Sequence, residues 1–185
     1  GWYMVKSGLT DRTDVSHYRL ALHLSLAFVI FIMLFWNYLN YNNKKKNVSK
    51  KKFPSYVLKF FIFCILLQIT TGALVSGLDA GQVYKSWPLM NQSYFPNDSN
   101  FNDLFSINLF ETPSLVQFIH RNIAYFILIL FFVVATIIFK NSNFFYLRKI
   151  IILVFISIII QIFLGILTIL SGAQIILASM HQIGS

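Results

Sequence analysis

Four long apolar segments separated by polar connections dominate this chain. They cover residues 16–41, 54–77, 113–139 and 144–170. Each is longer than the roughly 20 residues that a helix needs to cross about 30 Å of hydrocarbon. A fifth apolar segment begins near Gly172. The pattern predicts an all-α polytopic transmembrane bundle with four full spans and a truncated fifth.

Helix boundaries and composition agree with this interpretation. Ser16 and Thr112 are favoured N-cap residues, and Pro113 suits the first helical position. Hydrophobic residues make up 57% of the 185 residues, and charged residues only 11%. A soluble domain carries about 25% charged residues. The composition therefore excludes an ordinary soluble domain.

The net charge of +9 suggests nucleic-acid binding until the positions of the charges are considered. Two short connections, 42–52 and 140–149, contain Lys44, Lys45, Lys46, Lys50, Lys51, Lys52, Lys140, Arg148 and Lys149. The acidic residues lie in the other connections: Asp11, Asp14, Asp79, Asp98, Asp103 and Glu111. Positive residues favour the cytoplasmic side, so both basic connections are predicted on the cytoplasmic or matrix side. Residues 79–111 then face out, and no nucleic-acid partner is expected.

The outer connection, residues 78–112, is the one long loop in the sequence. It contains Trp87-Pro88-Leu89-Met90. A loop longer than about 12–15 residues is usually functional or disordered. We expect an ordered lid over the outer ends of the helices. A simple tether with an interfacial tryptophan is the alternative that the sequence leaves open.

Three histidines lie at a common depth in the apolar segments. His23, His120 and His181 are each roughly 10–12 Å below a helix start, at 1.5 Å per residue. An ionisable side chain at that depth is costly and marks a candidate functional site. Two imidazoles on facing helices could ligate a heme iron axially. Zinc is less favoured because no carboxylate or thiolate lies at that level, and helix packing by hydrogen-bonding histidines is the other alternative.

Arginine follows one of these histidines directly. Arg121 would reach the outer interface, where the propionates of a porphyrin would lie, and guanidinium groups pair well with carboxylates. Arg19 and Lys6 are weaker candidates for the same role, and each of these side chains could instead extend to lipid headgroups. His17 lies at the edge of its segment and is interpreted as an interfacial residue.

An internal repeat relates different parts of the chain. The spacing of the two glycines in 1–8 recurs in 165–172, with a serine before the second glycine, and a histidine follows each copy. A Gln-Ile-x-x-Gly string at 161–165 also recurs at 68–72. We therefore expect two related helix groups that present their ligands in the same way.

Several motifs along the chain resemble the heme A synthase family. They are Trp2-x-Met4-Val5-Lys6-Ser7-Gly8-Leu9, Val15-Ser16-x-Tyr18-Arg19-Leu20-Ala21-x-His23-Leu24, Gly77-Leu78-Asp79-Ala80-Gly81, Trp87-Pro88-Leu89-Met90, Phe110-Glu111-x-Pro113, Val116-Gln117-Phe118-x-His120-Arg121 and His181-Gln182. The outer loops lack the cysteine pairs of some relatives, so the chain resembles the cysteine-free proteobacterial and mitochondrial type.

The resemblance implies an eight-helix protein made of two four-helix halves. On that pattern, the chain would be a fragment from the end of the third helix to the start of the eighth. Residues 1–52 would close the N-terminal catalytic half, and residues 53–185 would belong to the C-terminal half, which holds heme b.

The family oxidises a methyl substituent of heme O to a formyl group, which gives heme A for cytochrome oxidase. His120 and His181 match the ligands of heme b, with Arg121 beside them. His23 matches one histidine of the catalytic half. The partner of His23 and the catalytic acid match no residue here, so this fragment alone is expected to be inactive. Gln117 stands where that acid would precede His120.

Expected partners are heme O, a lipid bilayer, an unidentified electron donor, and either heme O synthase or a second copy of the chain. The expected location is the bacterial inner membrane or the mitochondrial inner membrane. Two other functions remain open. A membrane cytochrome b would bind heme without modifying a porphyrin, and a transporter-like bundle with structural histidines would bind no heme.

Overall fold

The computed structural model describes residues 1–8, 14–42 and 53–184. In these ranges the chain forms α-helices and short 3-10 turns with no β-strand, which confirms the all-α prediction. The helices are α1 (Trp2–Val5), α2 (His17–Asn42), α3 (Ser55–Gly77), α4 (Pro113–Lys140), α5 (Arg148–Leu170) and α6 (Ile175–Gly184). The predicted basic cluster at 44–52 lies outside the described residues.

Four of these elements are long and apolar enough to cross a membrane. They are α2, α3, α4, and α5 together with the 3-10 turn Ser142–Leu147 before it. The protein is therefore an integral membrane protein, as predicted. Large apolar side chains on these helices are exposed, for example Phe31 at 62% and Leu153 at 63%. Such exposure is what a lipid-facing surface requires.

Two predicted helix starts differ from the observed ones for local reasons. The fourth span opens as a 3-10 turn because the Asn141 side chain accepts a hydrogen bond from the Asn143 backbone N–H. The last helix begins at Ile175 because Gly172 and Ala173 have positive φ angles of 70° and 61°, which cannot continue a right-handed helix. Thr112 is the N-cap of α4, as predicted, but its side chain makes no capping hydrogen bond.

Small side chains bring α2, α3 and α4 together. Ala21, Ala73, Leu74 and Val116 form one buried cluster, and small residues at helix contacts in membranes let backbones approach closely. At the opposite end of the bundle, a second cluster contains Phe53, Val134, Ile138 and Phe144. The two clusters hold the middle helices in an antiparallel arrangement.

The starts of α2 and α4 and the end of α3 meet at one end of the bundle. A Cβ placed on Gly77 would lie 2.7 Å from Cβ of His17, so α2 and α3 touch there. Tyr18 donates a hydrogen bond of 2.5 Å to Glu111 Oε1, just before α4. His17 Nε2 lies 3.7 Å from the other carboxylate oxygen of Glu111. These contacts confirm that the helix ends predicted to share one side of the membrane lie together.

Candidate functional site

His120 on α4 packs face to face with a glycine of α3. A Cβ placed on Gly72 would lie 3.1 Å from Cε1 of His120 and within 4 Å of both ring nitrogens. Any larger side chain would therefore press on the imidazole. Gly72 makes room for the ring of His120 at the depth predicted from the sequence.

Two polar side chains on α3 bind the two nitrogens of that ring. Gln68 Nε2 lies 3.1 Å from His120 Nε2, and Thr71 Oγ1 lies 3.1 Å from His120 Nδ1. Thr71 Oγ1 also donates to the Gln68 backbone carbonyl at 3.0 Å. The Gln-Ile-x-x-Gly string at 68–72 is recognisable as a repeat in the sequence, but the contact of Gln68 with His120 was not predicted. The signal that could have indicated this contact is the position of Gln68, one helical turn before Gly72.

His181 on α6 occupies an equivalent position against α5. A Cβ placed on Gly165 would lie 3.1 Å from Cε1 of His181, the same value as for the first pair. Gln161, one helical turn before Gly165, interacts with the ring. His181 Nδ1 is buried and has no hydrogen-bond partner in the part of the chain that the structure describes.

His120 and His181 lie close enough to interact electrostatically. Both are partly buried, and both lie six or seven residues, about 10 Å, beyond a helix start. Neutral imidazoles from two helices at one level suit the axial positions of a heme iron. Three features fit such a ligand pair. A glycine lies beside each ring, and His120 Nε2 presents its lone pair to an amide. His181 Nδ1 has no partner among the described residues.

His23 is exposed on α2, and none of the contacts described for His120 and His181 includes it. The Gly1 nitrogen is 3.2 Å from His23 Nδ1. Among the residues that the structure describes, no group of three or more His, Cys, Asp or Glu side chains is placed to hold a metal ion. The shared depth of the three histidines therefore corresponds to a pair and a separate third residue, rather than to one cluster.

The contacts match the sequence repeat only in part. His181 packs on Gly165, whereas a Cβ placed on Gly1 would meet nothing within 4 Å and only the Gly1 nitrogen contacts His23. The ends of the helices after Gly72 and Gly165, by contrast, close alike. In α3, the amide of Leu78 donates to Leu74, as that of Ser171 donates to Leu167 in α5.

The start of α4 holds the loop between α3 and α4 close to this site. Arg121 is only 6% exposed, and its Nη1 donates to the carbonyls of Ser86 at 2.9 Å and Leu89 at 3.4 Å. Its Nη2 donates to the Tyr84 carbonyl at 3.1 Å, which also accepts from Gln117 Nε2 at 3.0 Å. Residues 80–90, called the lid below, are thus fixed to the helix that carries His120.

The same lid reaches the turn between α5 and α6. A Cβ placed on Gly81 would lie 3.2 Å from Cβ of Ala173, and one placed on Gly172 would lie 3.0 Å from Cε of Lys85. The lid therefore contacts both α4, which carries His120, and the turn before α6, which carries His181. This arrangement supports the lid interpretation over that of a simple tether.

A buried phenol stabilises the lid from its other side. The Tyr84 hydroxyl donates to Asp98 Oδ1 and accepts from the Asn97 amide, both at 3.1 Å. Burial and the hydrogen bond to Asp98 raise the pKa of Tyr84 above its ordinary range. The phenol therefore stays protonated, and so able to donate, throughout the neutral range.

The structure gives Arg121 partners that the sequence did not suggest. The predicted partners were porphyrin propionates, whereas the observed ones are backbone carbonyls of the lid. Its Nε atom has no partner among the described residues. A propionate contact by Arg121 stays a prediction.

Arg121→Gln is expected to loosen the lid. Hydrogen bonds to a charged group are each worth about 1.5–3 kcal/mol. If one such contribution is lost, the population of the open lid should rise about 10–100-fold, because each 1.4 kcal/mol changes an equilibrium constant tenfold. The rate of tryptic cleavage at Lys85 in membrane vesicles measures this change.

Arg19→Gln is the matched control for this test. It removes the same charge, but Arg19 binds the Tyr3 carbonyl and ring rather than the lid. Cleavage in this control should proceed at the unsubstituted rate. Equal rates in Arg121→Gln and the unsubstituted protein would show that the guanidinium does not hold the lid.

The chain matches one protein family over its whole length. The family model described as "Cytochrome oxidase assembly protein" matches residues 1–185. Curated relatives named "Heme A synthase" are similar throughout. That of Pelagibacter ubique (strain HTCC1062) is 46% identical, with 100% of this chain and 54% of the relative covered. That of Wolbachia from Brugia malayi (strain TRS) is 41% identical, with the same coverage.

A third relative named heme A synthase, from Brucella ovis, is 39% identical over 98% of this chain and 51% of its own length. No solved structure matches the chain. The chain spans about half the length of the curated relatives that it matches. The match of the family model over residues 1–185 shows that this chain belongs to the family of cytochrome oxidase assembly proteins.

Proposed function

We propose that this chain is part of a heme A synthase, which oxidises a methyl substituent of heme O to a formyl group. Relatives 39–46% identical over nearly the whole chain carry that name. The observation that carries the proposal is the pair His120 and His181, each against a glycine at one depth, in a chain with these relatives.

In this proposal, His120 and His181 hold heme b in the C-terminal half, residues 53–185. When bound, this cofactor would supply one-electron transfer. The protein's own residues position the two imidazoles: Gln68 and Thr71 bind the ring of His120, and a glycine packs against each ring. This half would therefore relay electrons or support structure.

His23 belongs to the other half in this proposal, with residues 1–52 closing the catalytic part that takes heme O. Its contact with Gly1, rather than with the residues around the pair, supports a second, distinct heme position. Gln117 supports the same division of roles. It stands where a catalytic acid would precede His120, and it donates to a carbonyl of the lid instead.

The proposal places the lid on the outer side of a bacterial inner membrane or a mitochondrial inner membrane. The connection 140–149, with its basic residues, would then face the cytoplasm or matrix. The structure is consistent with this orientation, because Lys140 lies at the end of the bundle opposite Glu111. Heme O is the proposed substrate, and heme O synthase or a second copy of the chain is the proposed protein partner.

Porphyrin analysis tests this function. The intact membrane protein is expressed in membranes that make heme O and lack other heme A synthase activity. Acid extraction and mass spectrometry are expected to detect heme A, with its formyl group, only when the protein is present. A His23→Ala variant should reduce the yield of heme A while leaving bound heme b in place.

The two alternatives predict different results in the same experiment. A membrane cytochrome b would show bound heme b but unmodified heme O. A transporter-like bundle would show no heme absorbance after purification. Either result would contradict the proposed function.

A further inference from the structure

The two histidines of the pair have equivalent glycines but different polar neighbours. Thr71 precedes Gly72 and contacts His120 Nδ1. At the equivalent position of the repeat, Leu164 precedes Gly165. The side chain of leucine cannot accept a hydrogen bond, and His181 Nδ1 has no partner among the residues described.

The contacts around His120 are consistent with one neutral tautomer of its ring. Gln68 Nε2 is an amide group that only donates, so His120 Nε2 accepts from it with its lone pair. The proton of the neutral ring is then on Nδ1, which donates to Thr71 Oγ1. The hydroxyl proton of Thr71 goes to the Gln68 carbonyl, so the three bonds are mutually consistent.

This tautomer is the one that iron ligation through Nε2 requires. A second group that accepts from the other ring N–H fixes the tautomer and orientation of a ligating histidine and makes it a stronger electron donor. Thr71 supplies that acceptor for His120. For His181 the same N–H would be buried without an acceptor, a loss worth about 1–3 kcal/mol.

We propose that the two imidazoles are unequal ligands. Thr71 is a positioning residue that presets His120 for iron, whereas His181, whose Nδ1 has no partner among the described residues, is the weaker and more easily displaced ligand. This inference rests on the proposed binding of heme b by His120 and His181. Beyond that binding, it identifies His120 as the ligand that is preset and Thr71 as the side chain that presets it.

Thr71→Val tests the proposal in the intact protein with heme b. Valine keeps the shape of threonine and removes the acceptor. We expect affinity for added iron protoporphyrin IX to fall about 10–100-fold, the usual effect of losing such a partner. The midpoint potential of the bound heme should rise, because a less electron-donating imidazole stabilises ferric iron less. Thr71→Ser keeps the hydroxyl and should restore both values.

Thr70→Val is the matched control on the neighbouring residue. The Thr70 hydroxyl bonds Ser25 Oγ and the Leu66 carbonyl and does not contact His120. This variant should keep the potential and affinity of the unsubstituted protein. Equal shifts in Thr70→Val and Thr71→Val, or no shift in either, would overturn the proposal.

Leu164→Thr tests the other ligand and does not depend on the folding of the first variant. The new hydroxyl supplies the missing acceptor beside His181, so the midpoint potential is expected to fall and heme affinity to rise. An unchanged potential and affinity in this variant would refute the claimed inequality. A lack of b-type absorbance in the unsubstituted protein would instead contradict the proposed function itself.

Discussion

His120→Ala is expected to abolish the b-type heme spectrum of the intact protein. The variant leaves the iron with one imidazole, and removing a direct ligand should exceed the 10–100-fold loss of affinity typical of outer partners. His181→Ala should have the same effect, since the two rings lie within electrostatic reach of each other. Dithionite-minus-ferricyanide difference spectra of purified protein measure bound heme b directly.

His17→Ala is the matched control for both variants. His17 lies at the outer end of α2, beside Glu111 rather than beside the pair. The His17→Ala variant should keep the full b-type heme spectrum. An unchanged spectrum in His120→Ala would remove the proposed ligand pair, and loss of heme b in His23→Ala would show that the third histidine belongs to the same site.

Gly72→Leu and Gly165→Leu are expected to cause the second-largest loss of heme b. A Cβ at either position would be 3.1 Å from Cε1 of the facing histidine, so a leucine must displace the ring. Overpacking of this kind costs about 1–3 kcal/mol, which corresponds to roughly a 5–150-fold loss of affinity. The heme-to-protein ratio after reconstitution measures it.

Alanine at the same two positions gives a graded version of the test. Gly72→Ala and Gly165→Ala should lose less heme than the leucine variants, and by similar amounts, because the two distances are equal. Leu67→Phe, at a position on α3 that is 41% exposed, is the size control and should bind heme normally. Full heme content in Gly72→Leu would contradict the role of the glycine.

The spans could be predicted because their signal is local. Length and apolar composition are sufficient for a membrane helix, since a backbone in lipid must satisfy its own hydrogen bonds. The predicted spans differ from the observed ones by a few residues at most. The larger differences arise where backbone geometry intervenes, at the 3-10 turn before Arg148 and at the positive φ angles of Gly172 and Ala173.

The candidate site could be predicted only in part. The depth of the histidines follows from counting residues along helices, and the repeat pointed to Gly165 and Gly72. Neither could reveal that each glycine faces an imidazole, that Thr71 bonds one ring nitrogen, or that Arg121 binds carbonyls of the lid. These contacts join residues far apart in the chain, such as Thr71 and His120, 49 positions apart, and depend on how helices rotate about their axes.

The sequence by itself determined the number of spans, the grouping of their ends and the level of the histidines, because hydrophobicity and helical rise act along the chain. Only the tertiary structure decided that His120 and His181 form a pair apart from His23, and that the pair has unequal surroundings. Packing causes that difference: small residues let α3 and α4 approach until Thr71 reaches one ring, while Nδ1 of the other ring is buried without a partner among the described residues.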